Sequence, residues 1–199
     1  MWCRIGLVLV LVAAAVPAHA AERVEAGAVA RAQGDVRAAH DGTGRAVATG
    51  APVYLGDTLL TGKDARVQVR LTDGTDLTLG ADGALKLDDL LVAPLNESDG
   101  LSILAGAFRI VAPPTPGATV RTAYATIGIR GTEFWGGPLD GVMDVVALEG
   151  TVEVATAGGA VVLTAGEGTV VPTAGAAPGA AGRWGPEKLA RAIATVTFQ

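Results

Sequence analysis

The sequence predicts an all-β fold, either a compact sandwich or a short β-solenoid-like stack of short strands, with a small C-terminal helix. Three observations support this prediction. Apolar and polar residues alternate along residues 65–71, as in a strand with one buried face and one solvated face. Asp-Gly pairs, which favour tight turns, recur between such runs. Gly and Pro also interrupt every longer pattern. The sequence does not choose between the sandwich and the solenoid.

Residues 1–20 have the features of a secretory signal peptide. Arg4 supplies a positive start, residues 5–16 form an apolar run, and Ala18-His19-Ala20 is an A-x-A cleavage site. The apolar run is shorter than the roughly 20 residues that a membrane helix needs. We therefore expect cleavage after Ala20 and a mature chain without a membrane span, located in the periplasm or fully secreted.

The composition of the mature chain excludes several classes of function. Cys3 is lost with the signal peptide, which leaves no disulfide framework, thiolate nucleophile or cysteine metal site. The net charge of the full chain is −5, and removal of Arg4 makes it −5 − 1, or −6. This mild acidity does not suit nucleic acid as a partner, because phosphate binding requires a basic surface.

The elements of the mature chain follow one another as short strands and turns. Strands are predicted at residues 28–30, 36–38, 58–61, 65–71, 75–79, 85–87, 101–111, 124–129, 144–148, 151–155, 161–163, 169–171 and 196–198. Asp73-Gly74 is predicted to be a two-residue hairpin turn with positive φ at both residues. A bulge is predicted at Gly106, a surface loop or short helical turn at Asp88–Asp99, and a stiff connector at Pro113–Gly117.

These elements divide the chain into four parts. The signal peptide, residues 1–20, precedes one all-β domain at residues 21–173. An Ala/Gly/Pro-rich linker follows at residues 174–183. A short tail at residues 184–199 should contain a helix over Pro186–Ala194, because Pro suits the first helical turn and Glu187 complements the helix dipole there.

Several motifs, in a fixed order, carry a family resemblance. They are Leu55–Gly62, Ala65–Leu79, Leu104–Phe108, Ile129–Phe134, Val145–Val154 and Ala165–Glu167. Together they resemble the FecR domain, an all-β periplasmic module of iron-siderophore signal transducers and of free-standing exported proteins. The I-R-G-T-E-F and L-E-G-T-V-E-V elements are the most specific. The resemblance implies the fold and an envelope location, and by analogy a binding role.

The chain departs from the signal transducers of that family in one respect. Those proteins carry a cytoplasmic anti-sigma segment and a membrane helix ahead of the FecR domain, whereas here a signal peptide stands directly before it. We therefore expect a free-standing periplasmic FecR-domain protein, and do not expect this chain alone to control a sigma factor.

The sharpest local motif has two interpretations. In the first, Arg130 and Glu133 form a recognition edge beside Trp135, which would be an exposed aromatic anchor. In the second, the motif is structural, with Gly131 in a conformation that other residues avoid. The residues expected to be structural are Gly131, Thr132, Asp73, Gly74 and Gly150.

Metal and enzyme chemistry have little support in the sequence. The acidic series is spread over turns and a strand face rather than one tight loop, which does not suit calcium; it comprises Asp73, Asp76, Asp82, Asp88 and Asp89. Zinc is excluded because His40 is the only histidine of the mature chain. No nucleophile elbow or phosphate-binding glycine loop occurs. We predict no catalytic residue, no metal and no cofactor.

The function predicted first is a non-enzymatic binding or scaffolding module of the cell envelope. Its expected partner is another envelope protein, docked on an exposed edge strand or on a face bearing Trp135. The alternative is a glycan-binding or cell-wall-binding module, which would need an exposed row among Trp135, Trp184, Tyr54 and Tyr124. A hydrolase with paired carboxylates is a third reading, and would require a deep cleft holding two acids.

Overall fold

The computed structural model describes residues 23–87, 100–113 and 118–199, and for residues 100, 118 and 130 only the backbone. The predicted signal peptide and the predicted loop at residues 88–99 lie outside the described residues. Most of the predicted Pro113–Gly117 connector also lies outside them.

The described residues form short strands and one helix, which confirms the all-β fold with a small C-terminal helix. The strands are β1 (Glu25–Gln33), β2 (Val36–His40), β3 (Thr43–Ala46), β4 (Pro52–Tyr54), β5 (Thr58–Thr61), β6 (Arg66–Leu71), β7 (Asp76–Leu79), β8 (Ala84–Leu87), β9 (Gly100–Ala105), β10 (Phe108–Val111), β11 (Ala118–Thr122), β12 (Thr126–Leu139), β13 (Val142–Thr156), β14 (Gly159–Thr164), β15 (Glu167–Val171) and β16 (Gly182–Arg183). The helix, α1, covers Pro186–Ala194, as predicted.

All of these strands belong to one open mixed sheet. Within the described residues, every strand pair is antiparallel except β9 with β11. The main path of the sheet begins at β3 and β2 and ends at β1 and β4. Val36 of β2 and Val53 of β4 nevertheless belong to one buried apolar cluster. The sheet therefore folds over and encloses a core between its own two ends.

The β6–β7 hairpin confirms the predicted alternation with one correction. Residues 65, 67, 69 and 71 are all buried, as the pattern predicts. Arg66, which we expected on the solvated face, is 8% exposed, and its guanidinium donates to the carbonyl oxygens of Asp64 and Ala194. The prediction is wrong because the C-terminal tail lies over this position. Arg70 is exposed and forms an ion pair with Asp76 on the paired strand.

The turn at Asp73-Gly74 also differs from the prediction. Gly74 has φ +89°, but Asp73 does not have positive φ, and the Gly74 N–H donates to the Leu71 carbonyl. The loop therefore has three residues rather than two. The Asp73 carboxylate accepts hydrogen bonds from the Thr75 N–H and hydroxyl, which hold it in this geometry. Two-residue Asp-Gly turns with positive φ at both residues occur instead at Asp41-Gly42 and Asp140-Gly141.

The strand predicted over residues 101–111 is two strands. Gly106 has φ +86° and separates β9 from β10, which pair with different neighbours in the sheet. A side chain at Gly106 would lie 2.6 Å from the Cα of Gly83, so the turn also needs glycine for space. The predicted bulge is therefore a break between two strands.

The β12–β13 hairpin connects the main path of the sheet to β14 and β15. The first residues of β12 pair with β11, and residues 133–136 pair with β10. On the other side, β13 pairs with β15 over residues 143–146 and with β14 over residues 151–156. Each of the two strands therefore contributes to two different parts of the sheet.

The C-terminal tail covers the outer side of this hairpin. Trp135 is fully buried in a second apolar cluster with Val146, Ala192 and Val196, and its ring packs 6.1 Å from that of Trp184. Its indole Nε1 donates to the Thr195 hydroxyl at 3.0 Å. Ion pairs link α1 to the hairpin, with Lys188 on Asp144 and Arg191 on Asp140. No strand forms at residues 196–198, contrary to the prediction, because α1 leads directly into this packed turn.

We expect Trp135→Ala to lower the free energy of unfolding by about 4 kcal/mol, because it removes a fully buried ring and leaves a cavity under α1. Chemical denaturation followed by circular dichroism measures the change. Tyr124→Ala is the control, since Tyr124 is 39% exposed and its truncation should cost less than about 1 kcal/mol. Equal losses for the two variants would contradict the packing described here.

Candidate functional site

The R-G-T-E element lies where the β12–β13 hairpin bends. The pairing register shifts between Arg130 and Glu133 and again between Glu133 and Phe134. Gly131 has φ +54°, and Gly150 on the facing strand has φ +71°. A Cβ at Gly150 would lie 2.7 Å from the Gly131 carbonyl oxygen. The positive φ of both glycines allows a double bulge, and the close backbone approach at Gly150 leaves no room for a side chain there.

The described side chains of this element are paired with, or buried by, other parts of the fold. Glu133 accepts a hydrogen bond from Arg109 Nε at 2.8 Å, and Nη2 of the same guanidinium forms an ion pair with that oxygen at 2.7 Å. Thr132 is buried, and its hydroxyl finds no partner among the described residues. The side chain of Arg130 lies outside the described set. A binding role for Arg130 and Glu133 therefore stays a prediction.

Trp135 does not form the exposed anchor that the sequence suggested. It is 0% exposed because the tail packs over it. Among the other aromatic residues weighed for glycan binding, Tyr124 is exposed, whereas Tyr54 and Trp184 are half-buried. Trp184 packs against Trp135, and Tyr54 lies beneath the guanidinium of Arg45. These side chains do not form an exposed row.

A buried ion pair was missed by the sequence reasoning. Asp57 is 0% exposed, and its carboxylate accepts hydrogen bonds from both terminal nitrogens of Arg45, at 3.1 and 2.5 Å, and from the Tyr54 N–H at 3.0 Å. Burial raises the pKa of Asp57, but the Arg45 guanidinium and the Tyr54 N–H lower it by more, so the pKa lies below its ordinary value of 3.8. His40 Nδ1 lies 3.6 Å from the same carboxylate and has no hydrogen-bond partner in the described chain.

One feature of the sequence points to this pair. Asp57 stands inside the L-G-D-T run that contributes to the family resemblance, directly before a strand. A lone carboxylate at the start of a strand whose face is buried indicates a buried partner. The sequence did not reveal that the partner is Arg45, because the β2–β3 turn brings it there.

One cleft opens at the end of the folded sheet. It has a volume of about 270 Å³ and lies between the β11–β12 turn and the β12–β13 turn. Ile103, Phe108 and Met143 contribute to its buried wall, and Leu104 and Tyr124 expose apolar surface beside it. None of its lining residues is charged. The cleft can hold an apolar group, but it supplies no general acid or base.

The described acidic residues do not converge. Asp73 bonds to Thr75 and Asp76 pairs with Arg70 on one hairpin, whereas Asp82 lies in the next turn. Across residues 23–87, 100–113 and 118–199, no three metal-ligating side chains are grouped together. The same residues contain no helix whose length and apolar character would let it span a bilayer.

Comparison with known proteins agrees with this architecture. Residues 57–153 match the model of the FecR protein family. Two crystal structures of a candidate anti-sigma factor from Parabacteroides distasonis, at 1.65 and 2.50 Å, share the fold at a TM-score of 0.57 and 20% identity. Each comparison covers 67% of this chain and 62% of that protein, so the chain spans less than two thirds of its length. No curated protein matches the chain.

The close approach at Gly150 can be tested against a glycine that differs only in its surroundings. Gly42 has φ +77° in open space, so Gly42→Ala should cost about 1 kcal/mol for the left-handed conformation alone. Gly150→Ala adds a clash with the backbone of β12 and should cost more than about 3 kcal/mol. Urea denaturation of both variants measures the difference. Similar losses would show that Gly150 is needed only for its φ.

The Asp57–Arg45 pair predicts a pH dependence of stability. Folding lowers the pKa of Asp57, so the ionised carboxylate stabilises the folded state fully above pH 3.8. This stabilisation is lost as the pH falls through the lower pKa of the folded state. We expect Asp57→Asn to reduce the free energy of unfolding by about 3 kcal/mol at pH 7, and the difference from wild type to shrink below pH 4. Denaturation at pH 7, 4 and 3 measures this.

Asp76→Asn is the matched control, because its pair with Arg70 is on the surface and should contribute little at any of these pH values. If the free energies of unfolding of wild type and Asp57→Asn differ by the same amount from pH 7 to pH 3, the lowered pKa of Asp57 is contradicted.

Proposed function

Because residues 57–153 are a FecR domain, we propose that this chain is a non-enzymatic docking module of the cell envelope that binds another envelope protein. The family match carries this proposal. The fold likeness to a candidate anti-sigma factor supports it, since a protein of that description acts on another protein. In this proposal, residues 1–20 direct export and are removed, and the mature chain works in the periplasm.

The chemistry of the described side chains supports a binding role rather than catalysis. The carboxylates that are buried, Asp57 and Asp144, are engaged by Arg45 and Lys188. The apolar cleft beside Tyr124 contains no charged residue. A hydrolase with paired carboxylates would need two acids facing one cleft. The described residues do not provide that arrangement.

The docking surface in this proposal includes the bend of the β12–β13 hairpin. Arg130 and Glu133 lie in this bend, at register positions opposite Thr151 and Glu149. Buried Trp135 supports the bend from behind and does not itself contact the partner.

The proposal is tested by retention of envelope proteins on immobilised residues 21–199. Wild type is compared with Arg130→Ala, and with Arg70→Ala as a control that removes an exposed arginine from another hairpin. Circular dichroism first establishes that each variant is folded. We expect wild type and Arg70→Ala to retain the same protein, and Arg130→Ala to retain about tenfold less of it.

Two outcomes would contradict the proposal. Retention of the chain on peptidoglycan or polysaccharide, with no retained protein, would establish the glycan-binding alternative. Hydrolysis of the envelope material by the folded chain would show that it is an enzyme. Equal retention by all three chains would keep the docking function and move its surface away from Arg130.

A further inference from the structure

The sheet has four edge strands among the described residues, and three of them are protected from further pairing. β3 is short and carries Arg45, β4 has three residues and begins with Pro52, and β16 has two residues. Short length, charge and proline are the usual means by which edges avoid added strands. β14 has none of them. Its six residues, Gly-Ala-Val-Val-Leu-Thr, contain no charge and no proline, and Val162 is 53% exposed.

Among the described residues, the chain pairs with the neighbouring edge but not with this one, although residues 175–177 pack against the β13–β14 turn. β14 and β15 follow each other along the same side of β13. β16 pairs with the start of β15, and the Gly179 N–H donates to the Val170 carbonyl. The tail thus covers the edge of β15. Within the described chain, residues 160–163 make no backbone hydrogen bond beyond the β13–β14 ladder.

The register identifies which backbone groups of β14 point outward. Thr156 and Gly159 pair across a two-residue turn, which makes them a hydrogen-bonded pair. Because such pairs alternate along an antiparallel ladder, the N–H and C=O of Ala160, Val162 and Thr164 face away from β13. The Thr164 N–H donates to Glu167, in agreement with this alternation. Within the part of the chain that the structure describes, Ala160 and Val162 therefore present unpaired donors and acceptors.

We propose that an extended segment of the partner protein adds to β14 as a further strand of the sheet. This inference rests on the proposed docking function and extends its surface from the β12–β13 bend to the adjacent strand β14. Glu153 lies opposite Val162, Glu149 lies at the adjacent bend, and neither carboxylate has an ion-pair partner among the described residues. The segment that fits this edge alternates apolar residues with Lys or Arg, whose charges offset these carboxylates.

The test uses amide NMR spectra of isotope-labelled residues 21–199, titrated with two synthetic peptides, TVKVTVKVTG and TVEVTVEVTG. We expect the lysine peptide to shift the amide signals of residues 159–164 first. We expect the glutamate peptide to bind about threefold more weakly at low salt, with the two converging at high salt as charges are screened.

Three substitutions at one position separate backbone pairing from side-chain contact. Val162→Pro removes only an outward N–H, which an edge strand tolerates, and should abolish the shifts. Val162→Lys adds a protecting charge and should weaken binding of the lysine peptide at least as much as that of the glutamate peptide. Val162→Thr keeps the backbone and the β-branched shape and should bind normally. If Val162→Pro does not fold, the Val162→Lys result decides.

The outcomes distinguish this inference from the proposed function. Peptide shifts away from β14, or shifts at β14 that Val162→Pro and Val162→Lys leave unchanged, would overturn edge pairing. Concentration-dependent shifts at β14 without peptide would show that a second copy of the chain occupies it. If Val162→Lys still retains the envelope protein that wild type retains, the docking function stands and this surface is wrong. If wild type retains no protein, both fail.

Discussion

The bend between Gly131 and Gly150 is the constraint on which the rest of the fold depends. β12 has 14 residues, and a straight strand of that length would extend about 46 Å, longer than a domain of this size is wide. The double bulge lets the hairpin turn and pair with different strands on either side of the bend. Gly150 must be glycine because the facing backbone leaves no room for a Cβ, and Gly131 is favoured by its positive φ.

The two faces of the β12–β13 hairpin line two different apolar cores. Phe134 packs edge-to-face on Phe108 inside the folded sheet, whereas Trp135, the next residue, packs beneath the tail. Successive strand residues face opposite sides of a sheet, so an aromatic pair contributes to both cores. Their burial leaves the hairpin without an aromatic anchor on its surface. In the proposed docking role, this hairpin offers a partner backbone edges and charge rather than a large exposed ring.

Local features of the fold could be predicted from the sequence, and long-range contacts could not. Alternation at residues 65–71 identifies a buried face, and α1 begins and ends at the predicted residues because its signals lie within the helix. The sequence predicts that Arg66 and Trp135 lie on the surface, yet both are covered by the tail. Their burial depends on residues more than 50 positions away.

The same distinction between local and long-range features applies to the candidate site. The structural interpretation of Gly131 and Gly150 follows from the glycines themselves, whereas the pairing of Asp57 with Arg45 requires the fold of β2, β3 and β5. β14 was recognised as a strand from its valines. Its free edge was not predicted, because the sequence of a strand does not show that a neighbouring strand is missing on one side.

The tail that covers Trp135 also imposes an order of assembly. Synthesis proceeds from the N-terminus, so β12 and β13 emerge before Trp184, Ala192 and Val196, which complete the second core. Until then the face of the Trp135 indole that the tail covers is open to solvent. Exposed apolar surface of this kind favours aggregation. Proteolytic loss of the last residues would uncover the same face.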